Sequence, residues 1–205
     1  MQAPLFPLST VLFPGGLLKL HIFEVRYLDM IGRCWRSGEP FGVCLLTQGS
    51  EVRRAGMPDE SFHPFGTLAV IDELSSPGPG LMLVRCRGTT RFTISGSEKG
   101  VNGAWSARVE PVADDPRIAV PEHLRITAFG LKRLLDDLTP EAKADQWPNQ
   151  SDWQFDDCAW VANRWCELLP LPASVRQQLL ALDNPLIRLE LVTDLLRQGE
   201  PEAGP

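Results

Sequence analysis

No apolar run in these 205 residues approaches the ~20 that a membrane-crossing helix requires. The opening Met-Gln-Ala-Pro has no basic stretch leading into an apolar core, so a secretory leader is not expected and a cytoplasmic protein is. Positive charge is short too. Lys and Arg total 20 against 26 Asp and Glu, a net charge of −6, and the longest basic run is the pair Arg53-Arg54. An acidic chain gains little by releasing counterions from phosphates, which excludes DNA as an expected partner and places RNA well behind other classes. There are only three histidines, and the five cysteines (Cys34, Cys44, Cys86, Cys158 and Cys166) form no Cys-x-x-Cys pair. No metal site or cofactor is therefore expected, and the thiols read as reduced, buried, small hydrophobes. A Gly-x-x-x-x-Gly-Lys-Ser/Thr loop is absent; Lys99-Gly100 is the nearest fragment, in reversed order. Internal repeats and low-complexity tracts are missing as well.

What is present is concentrated at the amino end. Pro4-Leu5-Phe6-Pro7-Leu8 reads as a strand, and because proline cannot donate to a ladder, the two prolines predict a sheet edge. Phe13-Pro14-Gly15-Gly16 combines a fixed φ with a free one, the requirement of a tight turn. Leu17 to Phe23 supplies a short apolar strand, and Glu24 to Arg36 follows with Tyr27, Leu28, Ile31, Cys34 and Trp35 at helical spacing.

Up to about Val112 the pattern stays one of short strands broken by glycine and proline. Phe41 to Leu46 and Gly66 to Ile71 are buried-strand runs, with a polar loop predicted at Gly49 to Pro58. Pro77-Gly78-Pro79-Gly80 predicts a turn within a long loop joining Leu68–Ile71 to Leu81–Val84, and Arg91–Ile94 and Trp105–Glu110 alternate as half-exposed strands do. A curled sheet or small barrel is expected. Near Ala113-Asp114-Asp115-Pro116 the apolar period becomes helical. One helix begins at Val120-Pro121-Glu122, with Leu124, Ala128, Leu131, Leu135 and Leu138 on one face, and ends at Thr139-Pro140. A second is expected with Ser151 or Asp152 as its cap and Phe155, Ala159, Ala162, Cys166 and Leu169 inward. A third carries Val175, Leu179 and Leu182, and Asn184-Pro185 opens a fourth. Gly199 to Pro205 should fray.

Taken together, Leu5-Phe6-Pro7-Leu8, Phe13-Pro14-Gly15 and Lys19-Leu20-His21-Ile22-Phe23-Glu24-Val25-Arg26-Tyr27 resemble the amino-terminal, substrate-binding domain of the Lon protease family, with Lys19 where proline is common. Phe65 to Ile71 and Gly88-Thr89-Thr90-Arg91-Phe92 match further family strands. Ala162 to Leu171, Gln178 to Asp183 and Arg188-Leu189 are similar to the helical tail of small stand-alone bacterial members. The resemblance implies an α+β protein, a PUA-like β-barrel with one helix over residues 1–115 followed by a carboxy-terminal α-helical bundle over 116–205. It also implies a non-catalytic module that recognises unfolded or degron-bearing polypeptides, working with a separate protease. The phosphate loop of full-length Lon is missing, and none of Lys19, Lys99, Lys132 and Lys143 stands in the context of its serine–lysine protease site.

The candidate binding residues are His21, Glu24, Arg26, Tyr27, Arg85 and Arg91; no catalytic or metal-binding residue is assigned. Glu24 falls at a helix start, where free N–H groups and the dipole would hold a carboxylate without any ligand. Arg85, Arg87 and Arg91 surround Gly88 and would line a groove for carboxylate-bearing peptides, or simply occupy solvated strand faces. An extended client would enter by apolar pockets and strand addition at the proline-marked edge. The rival function is RNA reading, since PUA-like barrels include RNA readers. Trp147, Trp153, Trp160 and Trp165 concentrate in the helical part, where packing accounts for them better than an exposed aromatic surface.

Overall fold

Six strands and one helix build the first of two units, Met1–Asp114: β1 (Gln2–Leu8), β2 (Leu17–Ile22), α1 (Val25–Ser37), β3 (Phe41–Gln48), β4 (Ser61–Gly78), β5 (Leu81–Lys99) and β6 (Trp105–Pro111). The structure is a computed structural model and describes residues 1–52, 59–139, 142–143 and 153–199. The tip of the expected polar loop, Trp147, the proposed caps Ser151 and Asp152, Pro140 and the tail beyond Gly199 lie outside the described residues.

β1 is a central strand, which corrects the edge that Pro4 and Pro7 predict. Its halves use different neighbours. Gln2 to Leu5 run antiparallel to β6, and Leu5 to Leu8 run parallel to β3. Met1 and Val109 exchange main-chain bonds of 2.8 Å, so alternation turns the Pro4 nitrogen away from β6, toward a level that β3 has not yet reached. The Pro7 nitrogen points to the β6 side beyond the last pair, Leu5 with Trp105. Neither proline deletes a bond that the ladder needs.

β4 and β5 form one long hairpin with Gly78 opposite Leu81, so the link is the two residues Pro79-Gly80 rather than the long loop predicted. Serines and carboxylates such as Asp72, Glu73 and Ser75 stay in the strand because its outer part is solvated, where polar side chains leave pairing intact. From β5 the order runs β4, β3, β1, β6, and β6 pairs back onto β5 from Phe92 opposite Pro111 to Lys99 opposite Trp105. The ladder thus returns to its own strand, and among the described strands β2 alone has a single neighbour, β5.

Strand alternation sorts side chains into two cores. Ala3, Leu5, Cys44, Leu68, Phe92, Ala107 and Val109 fill one face. Phe6, Leu8, Phe41, Val43, Val84 and Cys86 fill the other, against Tyr27, Met30, Ile31 and Cys34 of α1. The turn before β2 is of type II: Gly16 N–H donates to Phe13 C=O at 3.0 Å, and Gly15 takes φ 75°. It seats on Gly88, whose C=O accepts from Gly15 at 2.8 Å and whose N–H donates to Gly16 at 2.9 Å. A Cβ on Gly88 would stand 2.3 Å from the Phe13 carbonyl oxygen, so only glycine fits there.

The second unit, Asp115–Pro205, holds α2 (Arg125–Asp136) after a 3-10 turn (Glu122–Leu124), then α3 (Cys158–Leu168), α4 (Ala173–Leu180) and α5 (Pro185–Gly199). Leu124, Ala128, Leu131 and Leu135 are buried with Val161, Ala162 and Leu189, and Trp153, Trp160 and Trp165 pack on that cluster half-buried. Asp157 caps α3, accepting from Trp160 N–H at 2.9 Å, so this helix starts later than the sequence predicts and Phe155 precedes it. Asn184 caps α5 as expected, accepting from Leu186 N–H at 2.9 Å. Arg188 is 1% exposed and donates to Leu179 C=O, Leu182 C=O, Asn163 and Asp115, tying α5 to α4, α3 and the start of the unit. All five cysteines are buried and unpaired. Among the described residues no helix is long and apolar enough to cross a membrane.

Candidate functional site

The junction from β2 into α1 positions the site. Glu24 is the N-cap residue of α1, with φ −78° and ψ 131°; its C=O accepts from Tyr27 and Leu28 N–H, both at 2.9 Å. Its carboxylate makes no capping bond and instead accepts from Arg26 Nε at 3.2 Å, so the helix start does not account for this side chain.

Arg26 is 6% exposed and anchors a buried polar network. Its Nη1 donates to Glu60 Oε1 at 2.8 Å and to Gly103 C=O at 3.0 Å. Glu60 Oε2 accepts from Lys99 Nζ at 3.1 Å and from Trp105 Nε1 at 3.3 Å, and Lys99 also donates to Asp59 at 2.5 Å. Burial alone would raise the Glu60 carboxyl, but hydrogen bonds from Arg26, its own main chain, Lys99 and Trp105 outweigh it and hold the group at about 2. The guanidinium carbon of Arg26 lies 4.4 Å over the Tyr27 ring, whose centroid is 4.1 Å from that of Phe6. Burial pushes the Tyr27 phenol well up, against the opposing charge of Arg26, so the ring remains a neutral phenol.

Beside this network opens a cleft of about 250 Å³. Phe6, Leu8, Leu20, Ile22 and Tyr27 form its buried apolar lining. Lys19, His21, Phe23, Glu24, Glu51 and Val52 stand around it, with Phe23 at 55% and Val52 at 38% exposed. Glu51 is held by Ser9, whose N–H donates at 2.6 Å and whose hydroxyl donates to the same oxygen. Charges of both signs thus border an apolar hollow, an arrangement that accepts a largely apolar ligand carrying polar main-chain or end groups.

His21, Glu24 and Tyr27 come together at this cleft, and Arg26 lies behind it, fixing Glu24. The structure does not bring Arg85 and Arg91 there. Arg85 is opposite Lys19 in the β2–β5 ladder and ion-paired with Glu73. Arg91 is 3% exposed, with its guanidinium 5.9 Å from the Phe65 ring, and Arg87 pairs with Asp72 at 3.1 Å. The space beside Gly88 is filled by the Phe13–Gly16 turn. Among other titratable groups, His123 lies 3.8 Å from Glu190, and Asp136 and Asp156 are exposed partners of Lys132 and Arg117. Glu60, Lys99 and Trp105 escaped sequence reasoning because they are far from Arg26 along the chain. Phe23 and Lys19 lie within the β2 signature, and only the cleft in the folded chain singles them out.

The described residues combine a six-strand ladder, five α-helices and a cleft at a strand-to-helix junction in a mixed α+β fold. The chain belongs to the ATP-dependent protease La (LON) substrate-binding domain family, whose profile matches residues 2–198. It is 31% identical to a Lon N-terminal domain protein from Xanthomonas campestris, covering 98% of this chain and 99% of that one with a TM-score of 0.72. The N-terminal domain of a Mycobacterium avium complex Lon protease shares the fold at a TM-score of 0.64 and 15% identity, over 98% of this chain and all of the other.

Proposed function

We propose that this protein is a non-catalytic polypeptide-recognition module that takes unfolded or degron-bearing segments in the β2–α1 cleft and serves as an accessory to proteolysis. The returning ladder of residues 1–115 is read as a PUA-like β-barrel with α1 on its face, and residues 116–205 as a helical bundle. The observation that carries the function is the cleft itself: exposed Phe23 and Val52 border an apolar hollow of about 250 Å³, the room a leucine- to phenylalanine-sized side chain needs. Five buried thiols suit a reducing, cytoplasmic setting. His21, Glu24 and Tyr27 contact the client and Arg26 positions Glu24, whereas Arg85 and Arg91 would act only at a separate surface. RNA recognition gains nothing here, since two carboxylates, Glu24 and Glu51, border the cleft.

The test is fluorescence anisotropy with a labelled, permanently unfolded polypeptide. Wild-type protein should bind it in the micromolar range, and Phe23→Asp should weaken binding by about ten-fold or more while leaving the melting temperature nearly unchanged, because the side chain is already exposed. Equal binding by the variant would reject the cleft, and salt-sensitive binding of RNA in place of polypeptide would reject the function.

A further inference from the structure

We infer that the outer edge of β2 receives the client's main chain, so that the polypeptide joins the sheet as an added strand while one of its apolar side chains enters the cleft. This rests on the reading of the cleft as a polypeptide site and specifies how that site is read. Among the described residues, β2 has β5 as its only strand neighbour, in a register unbroken from Leu17 opposite Arg87 to Ile22 opposite Met82. The bond from Gly88 N–H to Gly16 C=O sets the phase of that ladder. In an antiparallel pair every second residue directs both main-chain groups at its partner. Leu18, Leu20 and Ile22 therefore face β5, and Leu17, Lys19 and His21 direct their N–H and C=O outward. Among the described residues, those groups of Leu17 and His21 have no hydrogen-bond partner.

The unpartnered donor–acceptor pairs of Leu17 and His21 stand four residues apart, about 13 Å along the strand, a spacing that matches the main-chain repeat of another extended chain and not that of a helix or a small molecule. Natural edges of this kind are usually blunted by proline or a bulge. Here the prolines sit in β1, where both sides are occupied in turn, and β2 has neither device. The side chains agree with the main chain. Leu20 and Ile22 belong to the buried core and line the cleft, and Phe23 follows at its border, so a strand laid along β2 would bring its own inward side chain to the hollow. Lys19 and Glu51 bring opposite charges to its border and Glu24 is already ion-paired with Arg26, so neither an acidic nor a basic client is favoured. The occupant is thus a neutral, β-prone, proline-free segment of at least about five residues carrying a large apolar side chain. Such segments are buried in folded proteins and become accessible when they unfold.

The experiment uses the whole protein and three labelled peptides of one sequence, alternating leucine with threonine. One is unmodified and two are N-methylated on complementary alternate amides. Methylation removes main-chain donors on one edge and leaves every side chain in place. The unmodified peptide should bind, one methylated form should bind about as well, and the other should lose about ten-fold or more, the worth of one to two hydrogen bonds. On binding, amide exchange at Leu17 and His21 should slow. Equal binding of all three peptides would overturn strand addition while leaving the cleft reading intact, and no binding by any of them would overturn both. A protein that sediments as a dimer undisturbed by peptide would show the edge to be used by a second copy, which also overturns the inference.

Discussion

Replacing Glu60 by glutamine keeps the shape of the network under the cleft and deletes the charge at its centre. The wild-type carboxyl is held at about 2 against an ordinary 4.5, a difference worth at most about 3 kcal/mol of folding stability. Part of this is screened. Glu60 is 5% exposed at its side chain, but the chain of contacts runs out through Lys99, 20% exposed, to Asp59, 70% exposed. The retained amide also still accepts hydrogen bonds, so a loss of about 2 kcal/mol near neutral pH is expected. The pH dependence separates charge from packing. A carboxyl with a depressed value stabilises the fold fully above its unfolded value and loses that contribution as pH falls through the folded one. The difference between wild type and Glu60→Gln should therefore be constant above about 4.5 and shrink steadily toward about 2. Urea unfolding followed by circular dichroism at a series of pH values reads it directly. A gap that stays the same down to the lowest pH would show that Glu60 acts through shape alone and would refute the electrostatic account.

Gly88→Ala should destabilise the first unit by more than about 2 kcal/mol, because the new Cβ meets the Phe13 carbonyl at 2.3 Å and that carbonyl is fixed by its own turn; a thermal melt unchanged from wild type would contradict it. Arg188→Met should cost about 3 kcal/mol or more in urea unfolding of the second unit, since Asp115 and the carbonyls of Leu179 and Leu182 lose a buried donor, and polypeptide binding at β2 should be unaffected.

How much was legible in the chain depends on the range of the interaction. The Phe13–Gly16 turn, β2, α1 with Tyr27, Ile31 and Cys34 inward, and the Asn184 cap all arise from residues within a turn or two of one another, and each reads correctly. Position in the sheet does not. Pro4 and Pro7 imply an edge only if one neighbour spans the whole strand, and β1 divides its length between β3 and β6. The α3 cap was misplaced because Ser151, Asp152, Asp156 and Asp157 are equivalent by residue type; Asp157 is selected by strand-like contacts, Cys158 N–H to Ile118 C=O at 2.8 Å and the bridge from Asp157 to Ala119. At the site, His21, Glu24 and Tyr27 were legible because they share one junction. Glu60 was not, since its partners Arg26, Lys99 and Trp105 are 34, 39 and 45 positions away and converge only once the ladder has closed.

The pairing of Gln2 with Arg108 also has a temporal side. The bond from Met1 to Val109 spans 108 positions, so β1 cannot take its last neighbour until β6 has left the ribosome. At ~5–20 residues per second this leaves β1 waiting for about five to twenty seconds. During that interval its apolar stripe is available to chaperones, and closure is expected to be the slow, all-or-none event of biogenesis.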